Sequence, residues 1–476
     1  MGASASHFPA PTHHAALNVL NATLGGRVHT AVPFARPCFS LASQGVFGNQ
    51  DDAACARVTE TYTDRDAITS EFSAYLNSGG TICQATGDQC LLDANGPNNT
   101  QAFLPPQQCK QGNLPSYYID VQDATDVSAA FSFSRSTGVP LSIKNTGHDF
   151  LSRSAGVGSL ALWVGLLMLS TAFSNAFGLA VDQVLQFEVV TPDGVHRLAN
   201  ACTNSDLFFA LRGGGGGTFG VVLRVTMRAL PQLDFPVIVT AFKEKPSVEL
   251  QTKYVEFLVD NALPLASKGL NADHARACTQ PGLGLTFVNP FVSMADAADT
   301  MADLQQLVET ELNGTFLLQR ETSYLSFYQQ FVAPTTLPDN APSALSSRLI
   351  PASVFNASAS RAALSDALVA AAQRHTITLL FSVAPHFFKG GDEQTSVSPA
   401  WRSALWHVIY IDYWAYNTTV AERAQIYQGL EDDAQALRDI APHSGVYWNE
   451  ASVFEPDYAE AFWGANYERL LAIKRK

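Results

Sequence analysis

No stretch of this 476-residue sequence stays apolar for the roughly 20 residues that a bilayer-spanning helix requires. The longest apolar-rich run, Leu160 to Phe173, covers about fourteen residues, so a buried strand and helix are expected there and no membrane partner. Basic residues are in short supply. Against 43 Asp and Glu stand 29 Lys and Arg, a net charge of −14, which repels nucleic acid and acidic lipid surfaces. No Cys-x-x-Cys pair or Cys/His grid occurs, which disfavours zinc and leaves no metal site to propose. The glycines Gly213 to Gly217 are not followed by Lys-Ser or Lys-Thr, and no Gly-x-Gly-x-x-Gly opens a helix after a strand. The P-loop and dinucleotide-binding folds are therefore disfavoured. The opening Met1-Gly2-Ala3-Ser4-Ala5-Ser6 has neither the basic nor the apolar part of a secretory leader.

What is present points to a globular protein acting on a small neutral molecule. Hydrophobic residues make up 47% of the chain, and its length favours two domains over one. Five of the seven cysteines, Cys38, Cys55, Cys83, Cys90 and Cys109, crowd the first quarter, with Cys202 and Cys278 scattered behind them. This clustering reads as disulfides formed in an oxidising compartment, with at least one thiol left over. Buried reduced cysteines in a cytosolic protein are the alternative. Asn-x-Ser/Thr sequons at Asn21, Asn98, Asn313, Asn356 and Asn417 are glycan acceptors if the chain enters the secretory route. The expectation is a secreted or vacuolar glycoprotein whose signal peptide is not present in this chain.

Prolines 9, 11, 33 and 37 predict an irregular start to about residue 58, followed by a helix over Asp64–Leu76 and a long loop from Cys83 to Gln111 held by Cys90 and Cys109 or their neighbours. Tyr117–Val121, Asp126–Ser136 and Val139–Lys144 then read as strand, helix and strand, a βαβ unit with a parallel pair. The polar loop Asn145-Thr146-Gly147-His148-Asp149 leaves the carboxyl end of its second strand, where α/β sheets bind ligands. A hairpin is expected over Val184–Leu198 and a helix over Ser205–Leu211, after which Gly213–Gly217 feed a strand over Phe219–Met227. Such a run removes side chains where a large ligand touches the main chain. Beyond Pro231, strands at Phe235–Phe242, Gly284–Val288, Thr376–Ala384 and Leu405–Trp414 alternate with helices over Val248–Val259 and Ala295–Glu311. The aromatics Tyr410, Tyr413 and Trp414 either line a pocket or fill the core.

Taken in order, PLSIKNTGHDF, DQVLQFEVVTPDG, RGGGGGTFGVVLRV, YWNE and FWGANYERL resemble the fungal berberine-bridge-enzyme-like branch of the vanillyl-alcohol-oxidase flavoproteins. The resemblance implies an α+β fold of two lobes, a PCMH-type FAD-binding domain and an α+β substrate domain. Residues 1–232 would form the flavin lobe, 233–440 the substrate lobe, and 441–476 a segment returning to the flavin. It implies FAD as cofactor, joined covalently through His148, with Asn145, Thr146, Gly147, Asp149, Gly213, Gly214, Gly215, Gly216, Gly217, Gly220, Val221, Tyr447 and Asn449 around it. Tyr447 and Glu450 become the candidate catalytic residues, with Tyr413 as the rival base. The implied activity is oxidation of an alcohol, sugar or secondary metabolite by hydride transfer to flavin, with dioxygen as acceptor. Relatives carry several tens of residues between the strand GSLALW and the segment FGLAVDQVL, including a second flavin-linked cysteine. Here no cysteine falls between Cys109 and Cys202, so a second covalent link is not expected. The missing block also leaves open a catalytically inactive remnant or binding protein.

Overall fold

The computed structural model describes residues 13–43, 46, 48–165, 173–242, 244, 246–276, 282–333, 339–390 and 395–476, with backbone only for 271–276 and 282–285. The N-terminal part is more regular than the prolines predict. A helix forms over His14–Thr23 and another over Asp52–Thr61, the latter opened by Asp51, whose carboxylate accepts from Ala54 N. Pro33 and Pro37 fall between these helices and interrupt neither. The disulfides Cys38–Cys55 and Cys90–Cys109 staple this region, and Cys83 and Cys202 are free thiols. Cys278 lies outside the described residues. The helix expected over Asp64–Leu76 spans only Arg65–Thr69. It stops because the carbonyls of Glu71, Phe72 and Ala74 turn out of helical register to accept from Lys144 Nζ at 2.9, 2.8 and 2.7 Å.

Strands β1 (Val28–Thr30), β2 (Tyr117–Asp120), β3 (Leu141–Lys144) and β4 (Leu160–Trp163) form a four-stranded sheet in the order β1-β2-β4-β3. The helix of the expected βαβ unit spans Ala124–Thr137, but β2 and β3 are not neighbours. Strand β4 lies between them, parallel to both. Burial explains the insertion: Leu160, Ala161 and Leu162 are wholly buried, and only a central strand hides both faces of so apolar a segment. Most of the helix expected after β4 falls on residues 166–172, outside the described residues. Strands β5 (Val184–Val190), β6 (His196–Asn200) and β7 (Val221–Met227) make a separate antiparallel sheet, with the expected hairpin turning at Gly194.

A third sheet is antiparallel throughout and seven-stranded. It consists of β8 (Phe235–Phe242), β9 (Asn271–Arg276), β10 (Gly282–Val288), β11 (Gly314–Glu321), β12 (Ser343–Pro351), β13 (Ile377–Phe381) and β14 (Ala404–Tyr413), in the order β11-β8-β10-β9-β13-β14-β12. One face packs under the helices Val248–Ser267, Met294–Gln306, Ser358–Arg374 and Val420–Ile440 in the largest core of the molecule. Tyr410 and Trp414 belong to that core, which answers the question the sequence left open for them. The other face presents Leu345, Ile377, Leu379, Ile409 and Ile411, with Phe150 and Tyr413 packed against them. Phe150 comes from the loop after β3. That loop and the apolar face of the large sheet therefore meet. The chain ends in helices Tyr458–Trp463 and Tyr467–Arg475, and Leu470 packs with Phe209 and Phe219 beside the glycine run.

Candidate functional site

The loop after β3 is shaped by its own side chains. Thr146 Oγ1 accepts from His148 N at 3.3 Å, and Gly147 sits at φ +82°, where a side chain would come 3.1 Å from the Tyr75 ring and 3.2 Å from Lys144 Cε. Only glycine turns the chain here without strain. Asp149 is buried and serves the loop itself, accepting from Ser154 N at 2.7 Å and Leu151 N at 3.2 Å and facing Arg153 Nε at 3.7 Å.

His148 projects from this frame with about a fifth of its side chain exposed. Its Nε2 lies 3.2 Å from Glu450 Oε1, and the other Glu450 oxygen lies 3.8 Å from Nδ1 of His407 on β14. Phe150 N donates to Asn449 O at 3.2 Å, so the C-terminal segment is tied by its backbone to the loop it meets. Asn449 Nδ2 donates to Tyr447 Oη at 3.3 Å. The Tyr447 ring stands edge-on to His407 and Trp401, at centroid distances of 5.9 and 5.8 Å. Arg153 lies over the Trp448 ring at 4.3 Å and donates to Asn449 Oδ1 and Gly216 O, each at 3.3 Å.

Burial and charge set the protonation states. Burial lowers the affinity of His148 for a proton, but the hydrogen bond and charge of Glu450 outweigh it, and the net shift is upward. His407 is buried more deeply and is pushed down to about 4, which leaves it neutral at pH 7. Burial, reinforced by the charge of Glu450, pushes Tyr447 up to about 12. Tyr447 is thus a hydrogen-bond donor at neutral pH and a poor base.

The sequence-derived residues divide into two sets. His148, Tyr447, Asn449 and Glu450 come together, with Gly215 against the Trp448 ring, Gly216 beside Arg153, and Gly217 against Ile143. Gly213, Gly214, Gly220 and Val221 serve internal packing instead. A Cβ on Gly213 would lie 2.1 Å from Val397 N, one on Gly214 2.5 Å from Ala210 O, and one on Gly220 2.7 Å from Val190 O. Val221 is wholly buried beside Val190 and Leu160. Within the run, Gly213 and Gly214 are thus required by the chain's own backbone, whereas Gly215, Gly216 and Gly217 border side chains or open space. Gly213→Ala is expected to cost on the order of 3 kcal/mol in unfolding free energy, measured by urea titration, because φ is +129° and the obstacle is main chain. Tyr413 lies six residues along β14 from His407 and packs, as Phe150 does, against the aliphatic face of the sheet. His407, Arg153 and Lys144 were missed. The signal for His407 was a lone ionisable residue inside the apolar run from Ala404 to Ile411.

Residues 446–476 match the family model described as berberine and berberine like. Over 98% of its length this chain is 30% identical to the FAD-linked oxidoreductase ffsJ of Aspergillus flavipes, covering 91% of that protein. It belongs to the berberine-bridge-enzyme-like branch of the vanillyl-alcohol-oxidase flavoproteins. Its cofactor is FAD, and it is an FAD-linked oxidoreductase by descent; no similarity found supports an inactive remnant. The alignment spans 568 positions and takes in 98% of the 476 residues here, so the relative carries about a hundred residues with no counterpart in this flavoprotein. The PCMH-type α+β fold is matched by the VAO-type flavoprotein MtVAO615 from Myceliophthora thermophila C1, with TM-score 0.83, 24% identity, and coverage of 100% of this chain and 93% of that one. It is also matched by glucooligosaccharide oxidase from Acremonium strictum, a protein with a 6-S-cysteinyl, 8α-N1-histidyl FAD, at TM-score 0.59, 16% identity and 76% and 88% coverage. The residues present fit the ring end of FAD. One imidazole nitrogen of His148 is engaged by Glu450, which leaves the other for attachment, and beside Arg153 the position of a Cβ on Gly216 is open.

Proposed function

We propose that this flavoprotein oxidises a hydroxyl group of a small lipophilic molecule, with FAD linked through His148 and dioxygen as the final electron acceptor. The observation that carries the reading is the 3.2 Å contact between His148 Nε2 and Glu450 Oε1. It holds the imidazole in the tautomer with its proton on Nε2, so that Nδ1 is the nitrogen available to bond, in keeping with the N1-histidyl link named for the Acremonium enzyme. When bound, FAD supplies the two-electron acceptor that no side chain here provides.

The side chains supply the proton chemistry and the enclosure. Glu450 accepts the hydroxyl proton, and Tyr447 donates a hydrogen bond from its phenol. Neutral His407 keeps the second Glu450 oxygen company without placing a charge in the site. Trp401, Phe381 and Tyr447 pack around His407 and exclude water. The sheet face beyond them is aliphatic, which supports a lipophilic secondary metabolite or alcohol over a sugar, whose hydroxyls need hydrogen-bonding side chains. The two disulfides support an oxidising compartment, secreted or vacuolar, and Asn98, Asn313, Asn356 and Asn417 are exposed where glycans would attach.

Purified protein is expected to be yellow, to keep its colour in the acid-precipitated pellet, and to form peroxide with substrate. A colourless protein that takes up no FAD on reconstitution overturns the proposal.

A further inference from the structure

The segment carrying Tyr447 to Glu450 wraps around the outer edge of the seven-stranded sheet. On the face towards His148, Leu349 N of the edge strand β12 donates to Gly445 O at 2.9 Å, Ser444 Oγ donates to Leu349 O at 2.5 Å, and Ser347 Oγ donates to Glu450 O. Successive residues of a strand point to opposite faces, so Arg348 reaches the helix side. There its Nη2 donates to Ala441 O at 2.8 Å and Pro442 O at 3.3 Å, and its Nη1 lies 3.5 Å from Glu455 Oε1. Arg438 Nη2, on the helix Val420–Ile440, lies 2.9 Å from Glu455 Oε2 and 2.9 Å from Glu431 Oε2, while Ser346 Oγ donates to Glu431 Oε1 at 2.9 Å. The Glu455 side chain is only 2% exposed.

We propose that Arg348, Glu455 and Arg438 are positioning residues, a buried ionic latch that sets Glu450 against His148. The proposal rests on the reading of Glu450 as the partner of His148. A buried ion cluster of this kind adds little stability over well-packed apolar groups, whereas removal of one member strands the others. Its directional contribution differs from that of an apolar patch: charge-assisted hydrogen bonds from Arg438 to two carboxylates admit few arrangements of Glu455. Four residues lie between Glu450 and Glu455, and Ser347 holds the carbonyl at the far end of that span. A shift at Glu455 is thereby passed to the carboxylate facing His148.

The test compares the wild-type chain with Glu455→Gln and with a triple variant, Arg348→Met, Arg438→Met and Glu455→Met, which removes all three charges together. The readouts are the titration midpoint of the His148 ring, followed by NMR with histidine-selective labelling, and the pH profile of turnover. The expected result in either folded variant is a midpoint below that of the wild-type protein in the same flavin state. The turnover number should drop about a hundredfold, as for a group misplaced by an ångström, with KM within about twofold. A triple variant that folds and keeps the wild-type midpoint and profile overturns the latch. So does one that cannot fold, because the cluster would then hold up the fold and not the site. If wild-type protein carries no flavin and turns nothing over, the oxidoreductase reading fails, and the midpoint comparison still decides the latch.

Discussion

Replacing His148 by alanine is expected to remove all acid-stable flavin colour, leaving at most flavin that separates from the protein on precipitation. Turnover should fall roughly tenfold in FAD-saturated solution, about 1.4 kcal/mol in barrier, because alanine offers no nitrogen and leaves Glu450 without its partner. Absorbance of the pellet and of the supernatant separates the two flavin pools. The same histidine makes attachment depend on pH. Only a neutral imidazole has a lone pair to bond with, and the Glu450 pairing keeps His148 protonated to a higher pH than an ordinary histidine. Acid-stable colour should therefore appear slowly in acid and faster as pH rises through the raised value. In Glu450→Gln the rise should come at lower pH. A rate of colour formation independent of pH in both proteins would count against His148 as the attachment point.

Lys144→Met should be the most destabilising single change near the site. The ammonium is completely buried, donates to three carbonyls, and lies 4.5 Å from the Tyr75 ring centroid, with Phe72 and Trp163 on its other sides. Burial pushes it down to about 7, yet three acceptors can all be served only by the protonated form, which is the one we assign at neutral pH. Methionine fills the space and supplies no donor, so the buried carbonyls of Phe72 and Ala74 lose theirs, while Glu71 O keeps only Ala74 N. The expected loss is on the order of 3–5 kcal/mol, a large share of a typical domain's stability, and is measured by urea unfolding. The damage should reach His148 as well, because Gly147 turns against Lys144 Cε and Tyr75.

Lys144 also shows where the sequence stops being legible. The strand it ends is clear from local pattern, as are the hairpin around Gly194 and the helix Ser205–Leu211, all of which depend on near neighbours. Its partners lie some seventy residues upstream, and no local period encodes them. The same holds for β4, whose insertion between β2 and β3 follows from how completely it is buried and not from its order in the chain. The His148 loop stood out because a glycine and a histidine interrupt an apolar strand. His407 did not, since a single polar residue within a strand carries no mark of what it faces across the sheet. The glycine run was visible, but not the main chain that two of its members avoid: Gly213 faces Val397, 184 residues away, and Gly214 faces Ala210 one helical turn back.

The contact of His148 with Glu450, and of Glu450 with His407, has a consequence for biosynthesis. The three residues come from the first third, the last fifth and the last few per cent of the chain. While the ribosome is still at work, the loop bearing His148 emerges long before the carboxylate that orients its ring. A nascent chain can close the four-stranded sheet, but it cannot complete the attachment site until residue 450 is released. On the proposed linkage, a chain cut short before that residue would lack the carboxylate that orients the ring, and its colour would form with a pH dependence shifted as in Glu450→Gln.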